Sequence, residues 1–193
     1  MPEEKTKIVL APKTSAVVLI DLQHSNVVRQ LAPHNSDEVL RNSVLLANAF
    51  REKEGTAVFV RVQVTELLEL PVDSPFPKGN SAPPAHASDL VPETGVRPGD
   101  LVVTKRQWGA FYGTELDQQL RRHGIRTFVL GGIATNFGVE STARAAFDPG
   151  YELVFAEDAM ASISTEAHNF TVKNLFPRIG RVRSAEQIAK GLQ

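Results

Sequence analysis

"TFVLGGIATNFGVESTAR", residues 127–144, decides the fold. It opens with a short apolar run of strand length, passes through a turn of small residues, and ends with apolar positions at helical spacing. A strand that feeds through such a turn into a helix is half of a βαβ unit. It aims the backbone N–H groups of the turn at whatever lies beyond the strand's end. The same alternation repeats outward along the chain. Residues 16–22, "AVVLIDL", form a continuous apolar run ending in an acid, as expected of a central parallel strand buried on both faces. "NSDEVLRNSVLLANAFREKEG" predicts a helix with Ser36 as N-cap and Gly55 as stop. "TAVFVRV" is a second strand, and "DLVVTKRQ" is a third that ends at Lys105. "TELDQQLRRHG" is a short helix running from Thr114 to Gly124, and "GVESTARAAFD" is a helix with Val139, Ala143, Ala146 and Phe147 on one face. "YELVFAEDA" is a fifth strand. A helix from about 165 to 176, a short strand around Arg181 and Val182, and "SAEQIAKGL" complete the chain. The expected class is α/β: three layers, α/β/α, built on a doubly wound, mostly parallel sheet of about six strands.

At 193 residues the chain fits one domain, 1–193, and no second domain is needed. Between about Thr65 and Gly99 it turns irregular, with Pro71, Pro75, Pro77, Pro83, Pro84, Pro92 and Pro98. A loop of that length is a binding loop, a lid or a subunit contact. The 21 basic and 22 acidic residues leave a net charge of −1, so nothing points to nucleic acid or to a membrane surface. The apolar runs are strand-length and the polar "MPEEKTK" start lacks a signal peptide's apolar region, which leads to an expectation of a cytoplasmic protein. There is no cysteine, so thiol chemistry is closed to this chain.

A doubly wound, Rossmann-like sheet binds ligands at the carboxyl ends of its strands, near the point where strand order reverses. Asp21 closes the first strand, Lys105 closes the third, and the turn "GGIATNFG" follows the fourth. A carboxylate and an ammonium at neighbouring strand ends pair and shift each other's pKa, facing a helix N-terminus. Spacing alone does not separate such a pair from ordinary charged strand ends. Arg61 either binds an anionic substrate or salt-bridges a neighbour. Trp108, Phe111 and Tyr112 either wall an aromatic pocket, the favoured reading, or pack a subunit contact. Asn136 and Glu140 open a helix, where capping explains both, and Asn136 also lies within reach of a bound substrate. Arg144, Glu157 and Asp158 are read as structural ion pairs. His24 either touches substrate or is solvated. His34, His86, His123 and His168 have no metal-ligand spacing and are assigned to surface or helix-end positions.

The segments "VVLIDLQ" and 103–159 resemble the isochorismatase-like hydrolases, the superfamily that includes nicotinamidases, carbamoylases and isochorismatases. The resemblance runs from about Ser15 to Val182 and is closest to a branch that carries glycine in this turn. It implies a catalytic triad of Asp, Lys and Cys in which Asp21 and Lys105 match the first two and Gly138 stands at the third. It also implies a cis peptide between Ile133 and Ala134, oxyanion donors from the N–H groups of Ala134 and Gly138, a substrate contact from Gln63, and a homo-oligomer, dimer or tetramer. The nicotinamidase Asp-x-His metal site has no match where "RVQVTELL" stands, so neither metal nor cofactor is expected. Without the thiol the acyl-enzyme route is lost, and Ser141 and Thr142, a helical turn further on, do not replace it. The expected function is hydrolysis of a small-molecule substrate with Asp21 as general acid on a vinyl ether or similar bond and water as nucleophile. The alternative is a relative that has lost catalysis and binds a metabolite or serves as an oligomeric scaffold.

Overall fold

The computed structural model describes residues 7–75 and 82–193, so Pro77 lies outside the described residues. Six strands form one sheet: β1 (Ser15–Ile20), β2 (Thr56–Val62), β3 (Leu101–Lys105), β4 (Thr127–Ile133), β5 (Glu152–Ala161) and β6 (Arg181–Arg183). Their order is β3-β2-β1-β4-β5-β6 and every pairing is parallel. All six residues of β1 are buried, because β2 and β4 flank it and helices cover both faces.

Alternation along the strands divides the interior in two. Val17, Leu19, Phe59, Val129 and Val154 form one core with Val39, Leu46 and Phe50 of helix α2 (Ser36–Glu52), which follows the one-turn helix α1 (His24–Val27). Val18, Ile20, Val60, Phe128 and Phe155 form the other. They pack with Leu116 and Leu120 of α3 (Leu116–Arg122), with Ala143 and Ala146 of α4 (Glu140–Phe147), and with Phe176. Helix α5 (Thr165–Phe170) follows β5, α6 (Phe176–Ile179) continues the second layer through Phe176 and Ile179, and α7 (Ala185–Lys190) joins the first through Ile188. Phe147 departs from the expected stripe and is 47% exposed, since it is the last residue of α4; Tyr151 takes up the core against Phe128.

The N-cap of α2 is Asn35 rather than Ser36. Asn35 Oδ1 accepts from Glu38 N at 2.9 Å while Glu38 Oε2 accepts from Asn35 N at 3.0 Å. Only Asn35 has a glutamate three residues on, which is what a capping box needs. The proline-rich stretch is tied down over its second half. His24 N and Ser25 N donate to the carbonyls of Asp89 and Ala87, and Val91 N donates to that of Leu22, so residues 87–91 pack across the end of β1. β5 pairs Phe155 with Leu130 and Met160 with Gly132, so it advances five residues while β4 advances two. This bulge carries Glu157 and Asp158 and re-aims their side chains. Among the described residues, no helix is long and apolar enough to cross a membrane.

Candidate active site at the sheet's switch point

Strand order reverses between β1 and β4, and both strands end in an unusual backbone. Leaving β1, Asp21 adopts φ +53°, its N–H donates to Val60 O at 2.8 Å, and Asn26 Nδ2 donates to its carbonyl at 3.1 Å. Asp tolerates this left-handed conformation better than most residues. In β4, Gly132 has φ +121° and a Cβ there would lie 2.1 Å from Ile20 O, so only glycine lets the two strands approach. The peptide between Ile133 and Ala134 is cis, and a π-turn over Thr135–Val139 leads into α4.

Three sequence-selected residues converge here. Lys105 Nζ lies 2.8 Å from Asp21 Oδ2 and donates to Trp108 O at 2.6 Å. A Cβ at Gly138 would stand 3.1 Å from Asp21 Oδ2, 3.1 Å from Ile20 Cγ2 and 3.3 Å from Lys105 Nζ. A side chain at Gly138 would therefore enter the ion pair. Asp21 and Lys105 are buried, Lys105 to 1% exposure, and Asp21 Oδ1 has no hydrogen-bond partner. Burial pushes the Asp21 carboxyl up to about 6, and the Lys105 charge and hydrogen bond oppose that rise without cancelling it. A buried carboxyl poised near neutrality, with one oxygen unbonded, can give a proton to a bound molecule.

Thr142 is the brace of this turn. Its hydroxyl donates to Gly138 O at 2.7 Å and accepts from Ala110 N at 3.1 Å, which engages it structurally and ties the segment after Lys105 to α4. Trp108, 51% exposed, meets the Phe137 ring edge-on at 5.0 Å beside the pair. Asn136 Oδ1 accepts from Ser162 Oγ at 2.5 Å, and Glu140 accepts from Arg144 and Thr171.

Other expectations part from the geometry. Arg61 pairs with Thr104 in register while Lys105 pairs with Val62, so Arg61 projects from the opposite face of the sheet. There it binds Thr104 Oγ1 and Asp89 Oδ1, at the edge of a cavity of about 310 Å³ that Val91 and Pro92 also line. It is a salt-bridge residue apart from the Asp21 site. Phe111 packs against Phe128 and Tyr151, whose rings are core, so it does not wall a pocket with Trp108. Gln63 sits past β2 with its N–H on Lys105 O at 2.9 Å and its side-chain amide on Thr65 Oγ1 at 3.0 Å.

Two features went unread in the sequence. Gln23 is fully buried: its Oε1 accepts from Val62 N at 2.7 Å, and its Nε2 donates to Val62 O, Ala87 O and Ser25 Oγ. It clamps the end of β2 and the 87–91 segment beside Asp21, and its only sequence signal is its place two residues past the acid. His168, assigned to a surface or helix end, is 1% exposed and lies with His34 around Glu157. The residues are far apart in sequence, so no local spacing betrays them. His168, opposed by partial burial and aided by His34, holds the Glu157 carboxyl down to about 2.

Comparison with known proteins agrees with this fold. The isochorismatase domain pattern matches residues 15–187. The chain is 47% identical over 176 residues to the uncharacterised isochorismatase family protein YwoC of Bacillus subtilis, covering 90% of this chain and 91% of that one. It is 45% identical to the uncharacterised isochorismatase family protein YecD of Escherichia coli O157:H7, covering 95% and 98%. An isochorismatase family structure from Burkholderia thailandensis superposes with a TM-score of 0.89 at 41% identity, covering 96% of this chain and 98% of that one.

Proposed function

The chain belongs to the isochorismatase family, and from that premise we propose that it is a thiol-independent hydrolase of a small vinyl ether, with Asp21 as general acid. The observation that carries this reading is the buried Asp21–Lys105 pair facing Gly138, in a chain with no cysteine. Acyl transfer through a thiol needs an Sγ where Gly138 has only hydrogens, whereas vinyl ether hydrolysis needs an acid and water.

In the proposed reaction the Asp21 carboxyl gives its proton to the terminal carbon of the enol ether. The C=C electron pair forms the new C–H bond and leaves an oxocarbenium carbon. Water adds to that carbon, one of its protons returns to the Asp21 carboxylate, and the hemiketal collapses with cleavage of the C–O bond to a ketone and an alcohol. Lys105 holds Asp21 in place and offers its charge to a carboxylate on the substrate. In the collapse step the N–H groups of Ala134 and Gly138 serve the departing alkoxide oxygen, where negative charge develops. Retention of both charges supports catalysis over mere binding, because a buried ion pair carries a desolvation penalty that a disused pocket has no reason to keep.

The test is to assay isochorismate, other enolpyruvyl ethers and small amides with the wild type, then measure kcat and KM for Asp21→Asn and Lys105→Met on any compound turned over. Asp21→Asn should lower kcat by about 10²–10⁴-fold and leave KM close to wild type. Lys105→Met should damage both constants, since its charge serves ground and transition states alike. If no compound is turned over while enolpyruvyl ethers still raise the melting temperature, the protein is a metabolite-binding relative and the hydrolase reading fails.

A further inference from the structure

We propose that His34, Glu157 and His168 form a binding site for a divalent transition-metal ion, separate from the Asp21–Lys105 centre. Their ligand atoms all lie within 4.8 Å of one another. His34 Nε2 is 3.2 Å and His168 Nε2 is 3.7 Å from the same oxygen, Glu157 Oε1. A tetrahedral ion with bonds of 2.0–2.1 Å sets its ligand atoms about 3.4 Å apart, so these two edges bracket what the ion requires. The third edge, between the two imidazoles, is no longer than 4.8 Å, and His34 is a partly exposed side chain on the loop before α2. Two imidazoles and one carboxylate are the donor set of N/O sites for Zn²⁺, Co²⁺, Ni²⁺ or Fe²⁺, and the partial exposure of His34 and Glu157 leaves room for water to complete the coordination.

The surroundings hold the donors as a built site does. His168 is buried and its Nδ1 lies 2.8 Å from Thr135 Oγ1, which fixes the ring and turns Nε2 toward Glu157. An outer partner of this kind orients a ligating histidine and selects its tautomer. Glu157 stands on the β5 bulge, whose neighbour Asp158 accepts from Asn42 of α2 through its carbonyl at 2.6 Å and from Ala185 N through its carboxylate at 2.7 Å. The segment bearing His34 is pinned by reciprocal backbone bonds between Ala32 and Ser162 at 2.7 and 2.9 Å. Thr135 belongs to the π-turn that carries Gly138. An ion here would therefore join the loop before α2, the β5 bulge and α5 to the back of the turn that faces Asp21.

The test titrates Co²⁺ into the metal-stripped full-length protein and follows its visible absorption, with Zn²⁺ as competitor. The controls address the other close histidine pair, His24 and His86, whose ring centroids are 4.8 Å apart. The expected result is saturable binding of one Co²⁺ per chain, displaced by Zn²⁺ and weakened at least tenfold in His34→Gln and in Glu157→Gln, but unchanged in His86→Gln. Both sensitive substitutions fall on partly exposed side chains, and circular dichroism verifies that each variant is folded. Thr135→Val should weaken Co²⁺ binding by about 10–100-fold, the usual effect of removing an outer-shell partner. Absence of saturable binding would overturn the proposal, as would binding lost in His86→Gln and retained in His34→Gln and Glu157→Gln.

Discussion

The Asp21–Lys105 pair should write its signature into the pH dependence of folding. In the unfolded chain the Asp21 carboxyl titrates at its ordinary value of 3.8, whereas burial moves it to about 6 in the folded protein. Between those values the folded state binds more protons than the unfolded state, so stability falls as pH rises through this window. Two units correspond to about 3 kcal/mol, at a limiting slope of about 1.4 kcal/mol per pH unit. The reference is the double variant Asp21→Asn/Lys105→Met, which removes both charges together and leaves no unpaired buried ammonium. Groups elsewhere titrate alike in both proteins and cancel in the difference. Urea unfolding at fixed protein concentration, from about pH 4 to about pH 8, should show the wild type losing about 2.4 kcal/mol of that relative to the double variant, with most of the loss complete by about pH 6.5. A flat difference, or one that rises with pH, would refute the claim that desolvation outweighs the lysine at Asp21.

Gly138→Cys should place a thiol against Asp21 and Lys105 after neighbours give by a few tenths of an ångström, and its alkylation rate against pH should report a pKa below the ordinary value of about 8.5; a normal thiol pKa would show that the pair does not activate a group there. Gln23→Ala strips the buried partners from Val62 N and O and should cost about 2–4 kcal/mol in urea unfolding, while a loss under about 1 kcal/mol would contradict the clamp. The protein should be a homo-oligomer in solution, consistent with exposed Val28, Leu68 and Leu70, and light scattering that finds only monomer at micromolar concentration would refute this.

Much of the fold is legible in the chain because its central strands are buried on both faces and so read as unbroken apolar runs. Asp21, Lys105 and the 131–138 turn could be placed together because each follows such a run, and parallel strands bring their ends to one edge. What escaped depends on contacts between distant segments or on details finer than periodicity. The face on which Arg61 projects follows from strict alternation with Lys105's partner Val62, which needs the register of β2 against β3. The β5 bulge leaves no mark in "YELVFAEDA", yet it aims Glu157 at two histidines that topology alone brings near. Asn35 was distinguishable from Ser36 by the glutamate at Glu38, a local signal that the apolar pattern does not contain.

The central claim is that Asp21 acts as a protonated acid. Its most direct test is the pH profile of kcat/KM on an enolpyruvyl ether turned over by the wild type, because that ratio reports the free enzyme's essential acid. The account predicts activity that is constant at low pH and falls tenfold per unit above about pH 6, with the falling limb absent in Asp21→Asn and the overall rate lower by about 10²–10⁴-fold. A rate that rises through this range, or an Asp21→Asn variant that keeps wild-type turnover, would contradict it.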